Sequence, residues 1–183
     1  MRVIAGEFKG RKLEAPPSDS KFARPTGDRV KEAVFSILTY DIFDAVVADF
    51  FSGTGSLGIE AISRGARHCY FVDSSLESVR LIKKNISHCK ADSRSTVFHI
   101  DFNKSANMIR EKVDLVLADP PYECGYIKEL LTYLVAKRCE LLNPEALIVI
   151  EHSAYEDLPI LPELELLKTR KYGKTRVSVF QLV

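Results

Sequence analysis

The chain has no tryptophan, only four cysteines and four histidines, and no apolar run approaching the length of a membrane span. Each shortage removes a class of protein. Cys69, Cys89, Cys124 and Cys139 show neither CxxC spacing nor the compact framework of a small secreted domain. They are therefore expected as reduced, small apolar residues. His68, His88, His99 and His152 form no HxxxH or HxxE pair, so no metal site is expected. The opening MRVIAGEFKG has no secretion-signal core. With the cysteine usage, that sets the expectation of a cytoplasmic protein with no membrane partner.

What is present suits an ordinary globular domain. Hydrophobic residues make up 46% and charged residues 28% of 183 positions, enough for one domain with a substantial core. The net charge of +1 conceals an asymmetry. Residues 1–31 hold eight basic and four acidic side chains, and KTRKYGKTR at 168–176 holds five basic and none acidic. The two ends thus carry +9 and the rest −8. Such separation points to a polyanion facing the termini, with Lys9, Arg11, Lys12, Arg24 and Arg29 as candidate phosphate contacts. The alternative is a pair of solvated basic strands.

From Ala45 onward, short apolar runs alternate with helical stretches. AVVADF, HCYFVD, STVFHID, VDLVLADPPY and EALIVIEH read as strands. SLGIEAISRGA, LESVRLIKKNISHC, NKSANMIR and YIKELLTYLVAKRC read as the helices between them. Strands apolar almost throughout are expected where a parallel sheet is covered on both faces. The fold class is α/β, a doubly wound, mostly parallel sheet closed by an antiparallel C-terminal hairpin around RKYGKT. Residues 1–44 form a basic extension: a small β-hairpin turning at EFKG, then the helix DRVKEAVFSILTYD with Asp28 as its N-cap. Residues 45–183 form the core of the same single domain.

The loop DFFSGTGSLG contains Gly53-Thr-Gly55-Ser-Leu-Gly58, a literal GxGxxG between a strand and a helix. Asp73 ends the next strand, twenty residues beyond Gly53. By that rule the site takes a dinucleotide, with Asp73 on a ribose diol. Asp49 argues otherwise: a carboxylate under the loop would repel a pyrophosphate and attract an ammonium. A ligand with both an adenosine ribose and an amino-acid ammonium is S-adenosylmethionine. A plain capping role for Asp49 is the structural alternative. Asp101, at the end of the third strand, could take the adenine amine with Phe102 on the ring face, or simply cap the helix that follows.

Asp119 ends the fourth strand at the same sheet edge, followed by Pro120, Pro121 and Tyr122. Prolines cannot donate to a ladder, so the strand stops there. An exocyclic nucleobase amine is a poor nucleophile until its protons are held. The Asp119 carboxylate and the Pro120 carbonyl could hold them, with Asp119 also accepting the proton released. Tyr122 offers a stacking face for a base extruded from its helix. The bland alternative is a strand-to-loop turn.

An Asp-Pro-Pro-Tyr roughly two helices after an acid-and-glycine loop resembles the S-adenosylmethionine-dependent amino-methyltransferases. RVIAGEFKGRKLEAP, RPTGDRVKEAVFSIL, DFFSGTGSLGIEAISRGA, ADPPY and KYGKTRVSVF follow in order over nearly the whole chain. In that order they resemble, more closely, the bacterial guanine-N2 methyltransferases of small-subunit ribosomal RNA. The resemblance implies a Rossmann-like methyltransferase fold, S-adenosylmethionine as cofactor, and ribosomal RNA in an assembling small subunit as partner. It implies that Asp49, Gly53, Gly55 and Asp73 hold the cofactor and that Asp119, Pro120 and Tyr122 hold the guanine amine. It also implies that Arg24 and Arg29 lie near cofactor or RNA. Two other readings stay open: an adenine amino-methyltransferase acting on DNA, and a non-methylating dinucleotide-binding protein.

Overall fold

The computed structural model describes residues 1–16 and 27–183. Seven strands form one sheet in the order β3-β2-β1-β4-β5-β7-β6. These are β1 (Val46–Phe50), β2 (His68–Asp73), β3 (Ser95–His99), β4 (Val113–Ala118), β5 (Leu142–Ser153), β6 (Leu164–Tyr172) and β7 (Thr175–Leu182). The first five pair in parallel, whereas β7 runs antiparallel to β5 and β6 antiparallel to β7. Between them run helices α1 (Asp28–Ile37), α2 (Ser56–Ser63), α3 (Leu76–Cys89), α4 (Tyr126–Ala136) and the short α5 (Arg138–Leu141). This is the doubly wound sheet with an antiparallel hairpin that the periodicity implies.

Alternation along each strand splits the core in two. Val47, Leu115, Leu117, Val149, Val177 and Val179 pack one sheet face against Val34 and Phe35 of α1, Ile59 and Ile62 of α2 and Ile82 of α3. Val46, Phe50, Val72, Val116 and Ile148 pack the other against Ile127, Leu130, Leu131 and Leu134 of α4. All five residues of β1 are buried, as a central strand between two helical layers must be. Helix α3 shows why such segments are helical: Val79, Ile82, Ile86 and Cys89 recur on one face, and the Ser75 hydroxyl caps the Ser78 N–H.

Several boundaries differ from the sequence expectation. The expected N-terminal hairpin is present, bridged at Arg2 and Lys12, with Val3 N–H on Arg11 O at 3.0 Å, Gly10 N–H on Val3 O at 2.9 Å and Leu13 N–H on Met1 O at 3.1 Å. Other amides of the segment dock on the helices. The N–H groups of Ile4 and Ala5 go to the Glu60 carboxylate, Phe8 N–H to Ser63 Oγ, Glu7 N–H to Ser63 O, and Glu14 N–H to Asn85 Oδ1. Residues 1–16 are thus a strap over α2 and α3. Beneath it lies a buried ion cluster: Lys31 Nζ stands 3.4 Å from Glu60 Oε2, both fully buried, and Arg64 Nε lies 2.8 Å from Glu60 Oε1. The N-cap of α1 is Gly27, and Asp28 is its first helical residue. The strand expected to reach Asp101 ends at His99. The Ile100 N–H still bonds Asp73 O, and the chain then turns into 3-10 turns over Phe102–Asn107, where an α-helix was expected. The fifth strand begins earlier than expected, at Leu142.

Candidate active site

The carboxyl ends of β1, β2, β4 and β5 lie level, because Phe50 pairs with Val72 and Ala118, and Ala118 with Ile150. That register gathers Asp49, Asp73, Asp119 and Glu151 at one edge of the sheet, with Asp101 two residues beyond β3. In open α/β sheets this edge is where ligands bind.

The glycine loop is held from below. Gly53 and Gly55 sit at φ +55° and +76°, a region costly for other residues, and only Phe51 O lies near a Cβ placed on Gly53. The loop surface there is bare backbone open to a ligand. Gly58 serves a different end: a Cβ on it would lie 2.3 Å from Phe71 Cε1, so glycine lets α2 settle directly on β2. The Ser52 hydroxyl latches the loop, donating to Asp49 O at 2.5 Å and accepting the Val72 N–H at 3.0 Å. Asn85 Nδ2 donates to Thr54 O at 2.9 Å and to Glu14 O at 3.1 Å, so one buried amide joins the loop to the strap. Phe51 is itself left-handed at φ +55°. Its ring stands 5.2 Å from Phe102 and 5.3 Å from Tyr126, a packed aromatic trio beside the loop.

Asp49 is 1% exposed, and its Oδ2 accepts the Gly58 N–H at 3.0 Å, satisfying one of the donors at the start of α2. Burial pushes its carboxyl well above the usual range; the Gly58 bond opposes the shift, and nearby Asp119 and Asp73 add to it. Asp73 uses one oxygen on the Gly53 N–H and the other on the Ser75 N–H, both at 2.8 Å. Each carboxylate oxygen retains a second lone pair for a ligand hydroxyl. Asp101 is exposed and makes no capping bond, leaving the turn-capping alternative without support. Phe102 is 6% exposed, packed against Phe51 and Tyr133, so most of its ring surface is committed to the core.

Asp119 is half-buried directly after β4, Pro120 is buried and Pro121 exposed. Asp119 is close enough to raise the pKa values of both Asp49 and Tyr122. The Tyr122 hydroxyl donates to Glu151 Oε1 at 3.1 Å and lies 3.2 Å from Thr175 Oγ1. Burial, more than the neighbouring carboxylates, pushes its phenol pKa far up, so the hydroxyl keeps its proton and the ring stays neutral. Asp49, Asp73 and the Asp-Pro-Pro-Tyr segment therefore share one edge of the sheet.

The basic candidates are scattered. Arg29 is exposed on α1 and Lys12 is exposed beside the Arg2 bridge. Lys9 belongs to a turn held at the far end of α2, a helix length of about 12 Å from the glycine loop. Arg11 is spent on structure: its Nη1 donates to Cys89 O at 2.5 Å, and its guanidinium lies 5.1 Å from the Phe8 ring centre. Arg24 lies outside the described residues. Glu151, Thr175, Ser52 and Asn85 are not singled out by motif. Asn85 alone leaves a trace in the sequence, as an amide on the apolar stripe of α3.

The family model described as conserved hypothetical protein 95 matches residues 1–181. The chain belongs to this family. It is 34% identical over 187 residues to ribosomal RNA small subunit methyltransferase D of Haemophilus influenzae, covering 99% of this chain and 93% of that protein. The solved structure of yhhF from Escherichia coli, assigned as a methyltransferase, superposes with a TM-score of 0.86 at 31% identity, covering 100% and 97% of the two chains. An RNA methyltransferase from Salinibacter ruber, solved with S-adenosyl-L-homocysteine, shares the fold at TM-score 0.67 and 15% identity, over 85% and 92%. The family resemblance read from the ordered motifs and the Rossmann-like methyltransferase fold both stand.

Proposed function

We propose that the protein transfers a methyl group from S-adenosylmethionine to the exocyclic amine of a guanine in small-subunit ribosomal RNA, within an assembling subunit. The observation that carries this reading is the meeting of Asp119-Pro-Pro-Tyr122 with the Asp49 and glycine-loop pocket at one strand edge. The names of the relatives supply the class of RNA.

The pocket residues suit this cofactor. A buried carboxyl held well above its normal pKa welcomes a cation, which Asp49 would find in the amino-acid ammonium. Asp73 has lone pairs to spare for the ribose diol, bare Gly53 admits close approach, Gly55 at φ +76° would shape the turn around the ligand, and Asp101 is exposed for the adenine amine. When bound, the cofactor supplies an electrophilic methyl on a positively charged sulfur. The Asp119 carboxylate and the Pro120 carbonyl would accept the two amine protons, fixing the nitrogen lone pair toward the donor. Asp119 would then take the proton that the alkylated amine sheds. Tyr122, neutral and braced at its hydroxyl by Glu151 and Thr175, would stack on the base. Proline on both sides of the bend holds the two acceptors before the base arrives.

The deciding experiment incubates the protein with tritiated S-adenosylmethionine and, separately, naked small-subunit RNA, partly assembled subunits and duplex DNA, then digests the labelled product to nucleosides. N2-methylguanosine from the RNA arms is expected. Label in DNA alone, or in no nucleic acid, would overturn the proposal.

A further inference from the structure

Beyond the proposed base pocket, the structure carries a second surface, built around the basic run KTRKYGKTR. The register Ser153 to Thr175, with the Ala154 N–H donating to Lys174 O at 2.8 Å, brings the β6–β7 turn against the loop that leaves β5. The Tyr122 contact with Thr175 puts this turn beside the Asp-Pro-Pro-Tyr segment. On that loop Tyr155 is 73% exposed and stacks on no other ring among the described residues. Along the hairpin stand Lys168, Arg170, Lys171, Lys174 and Arg176, with no acid among residues 168–176. Among the described residues none of these five cations is in an ion pair. Acids stand on the other side of the ring: Glu123, whose Oε1 accepts the Ser153 hydroxyl, Glu156, whose Oε2 accepts the Glu123 N–H, and Asp157 next along the loop, so the phosphates would lie toward the hairpin.

An exposed aromatic ring next to unneutralised cations is the combination that holds single-stranded nucleic acid, one base on the ring and its phosphates on the charges. Resting on the RNA-methyltransferase reading, we infer that Tyr155 and the hairpin tip form a subsite for the nucleotide adjacent to the methylated guanosine. Tyr155 stacks that neighbour's base, and Lys171 and Lys174 take its phosphates. Pulling a base into the pocket breaks its stack with the neighbour, and the Tyr155 ring replaces the lost surface.

The test measures fluorescence anisotropy of a short single-stranded RNA with one central guanosine, alongside the same RNA made abasic at one or the other flanking position. Tyr155→Ala should weaken binding of the intact RNA about tenfold. Tyr155→Phe should restore it. On the RNA abasic at the contacted flank, wild type and Tyr155→Ala should bind alike, an equality that a merely structural role would not produce. Lys171→Ala with Lys174→Ala should lower the salt slope by about two. Calorimetry with S-adenosylhomocysteine reports that each variant keeps its fold. Equal binding of Tyr155→Ala and wild type to intact RNA overturns the subsite, as does an unchanged loss on both abasic RNAs. Methyl transfer by the wild type, measured separately, tells failure of the subsite from failure of the parent reading.

Discussion

Glu60→Ala should unfasten the N-terminal strap and strand a charge beneath it. Four donors converge on this fully buried carboxylate: Ile4 N–H at 2.7 Å, Ala5 N–H at 3.0 Å, Arg64 Nε at 2.8 Å and Lys31 Nζ at 3.4 Å. Alanine leaves the Lys31 ammonium, itself fully buried, with Arg2 O as its hydrogen-bond partner and the more distant Asp28 as the remaining acid acting on it, among the described residues. Removing one partner of a buried ion pair costs about 3–5 kcal/mol. At roughly 2–4 °C per kcal/mol for a chain of this size, melting should fall by about 6–20 °C. Burial already pulls the Lys31 pKa below 10.5, and Glu60 is the main group opposing that pull. In the variant the lysine should be driven lower still. The unfolded chain then binds more protons than the folded one between the lowered pKa and the ordinary lysine value. Stability of Glu60→Ala should therefore rise with pH across that window. Urea unfolding from pH 6 to 10 measures this, and adding Lys31→Met should recover much of the loss. A cost below about 1 kcal/mol, or no recovery from Lys31→Met, would refute the account of the cluster as a desolvated charge held by one acid.

Four further outcomes concern the site and the loop beneath it. Asp119→Ala should leave affinity for S-adenosylhomocysteine near wild type by calorimetry while slowing transfer to RNA by about 10²–10⁴-fold. Asp49→Asn keeps an oxygen for the Gly58 N–H but removes the buried charge, so melting should hold or rise while affinity for the ammonium-bearing cofactor falls. In the wild-type protein that affinity should be full above the raised Asp49 pKa and weaken as pH falls through it, with protons released on binding. Gly58→Ala places a Cβ 2.3 Å from Phe71 Cε1 and 2.7 Å from Cys69 Sγ, and overpacking of about 1–3 kcal/mol should appear in urea unfolding.

The sheet and its crossover helices were legible because the central strands are apolar almost throughout and the helices between them carry their own periodicity, and the closing hairpin because of the turn RKYGKT. The position of the acids at one edge followed from that pattern alone. The docking of the N-terminal hairpin on α2 and α3 was not legible, because its free backbone donors are satisfied by Glu60, Ser63 and Asn85, residues 55 to 71 positions away, which no local pattern reveals. Arg11 counts as a cation in any charge tally, yet the fold spends it on the last carbonyls of α3. Glu151 escaped notice for a related reason: an acid closing an apolar strand acquires meaning only when register sets it against Tyr122.

Strand β6 is nine residues long, mostly solvent-facing, and forms one outer border of the described sheet. Its unpaired rim is a template on which a second copy could lay its own β6, and exposed Leu166 and Leu167 would favour the match. Lys168, Arg170 and Lys171 oppose it, since like charges brought opposite one another across two such strands repel. The hairpin's charge thus guards against self-association, and a variant stripped of it would trade solubility for aggregation.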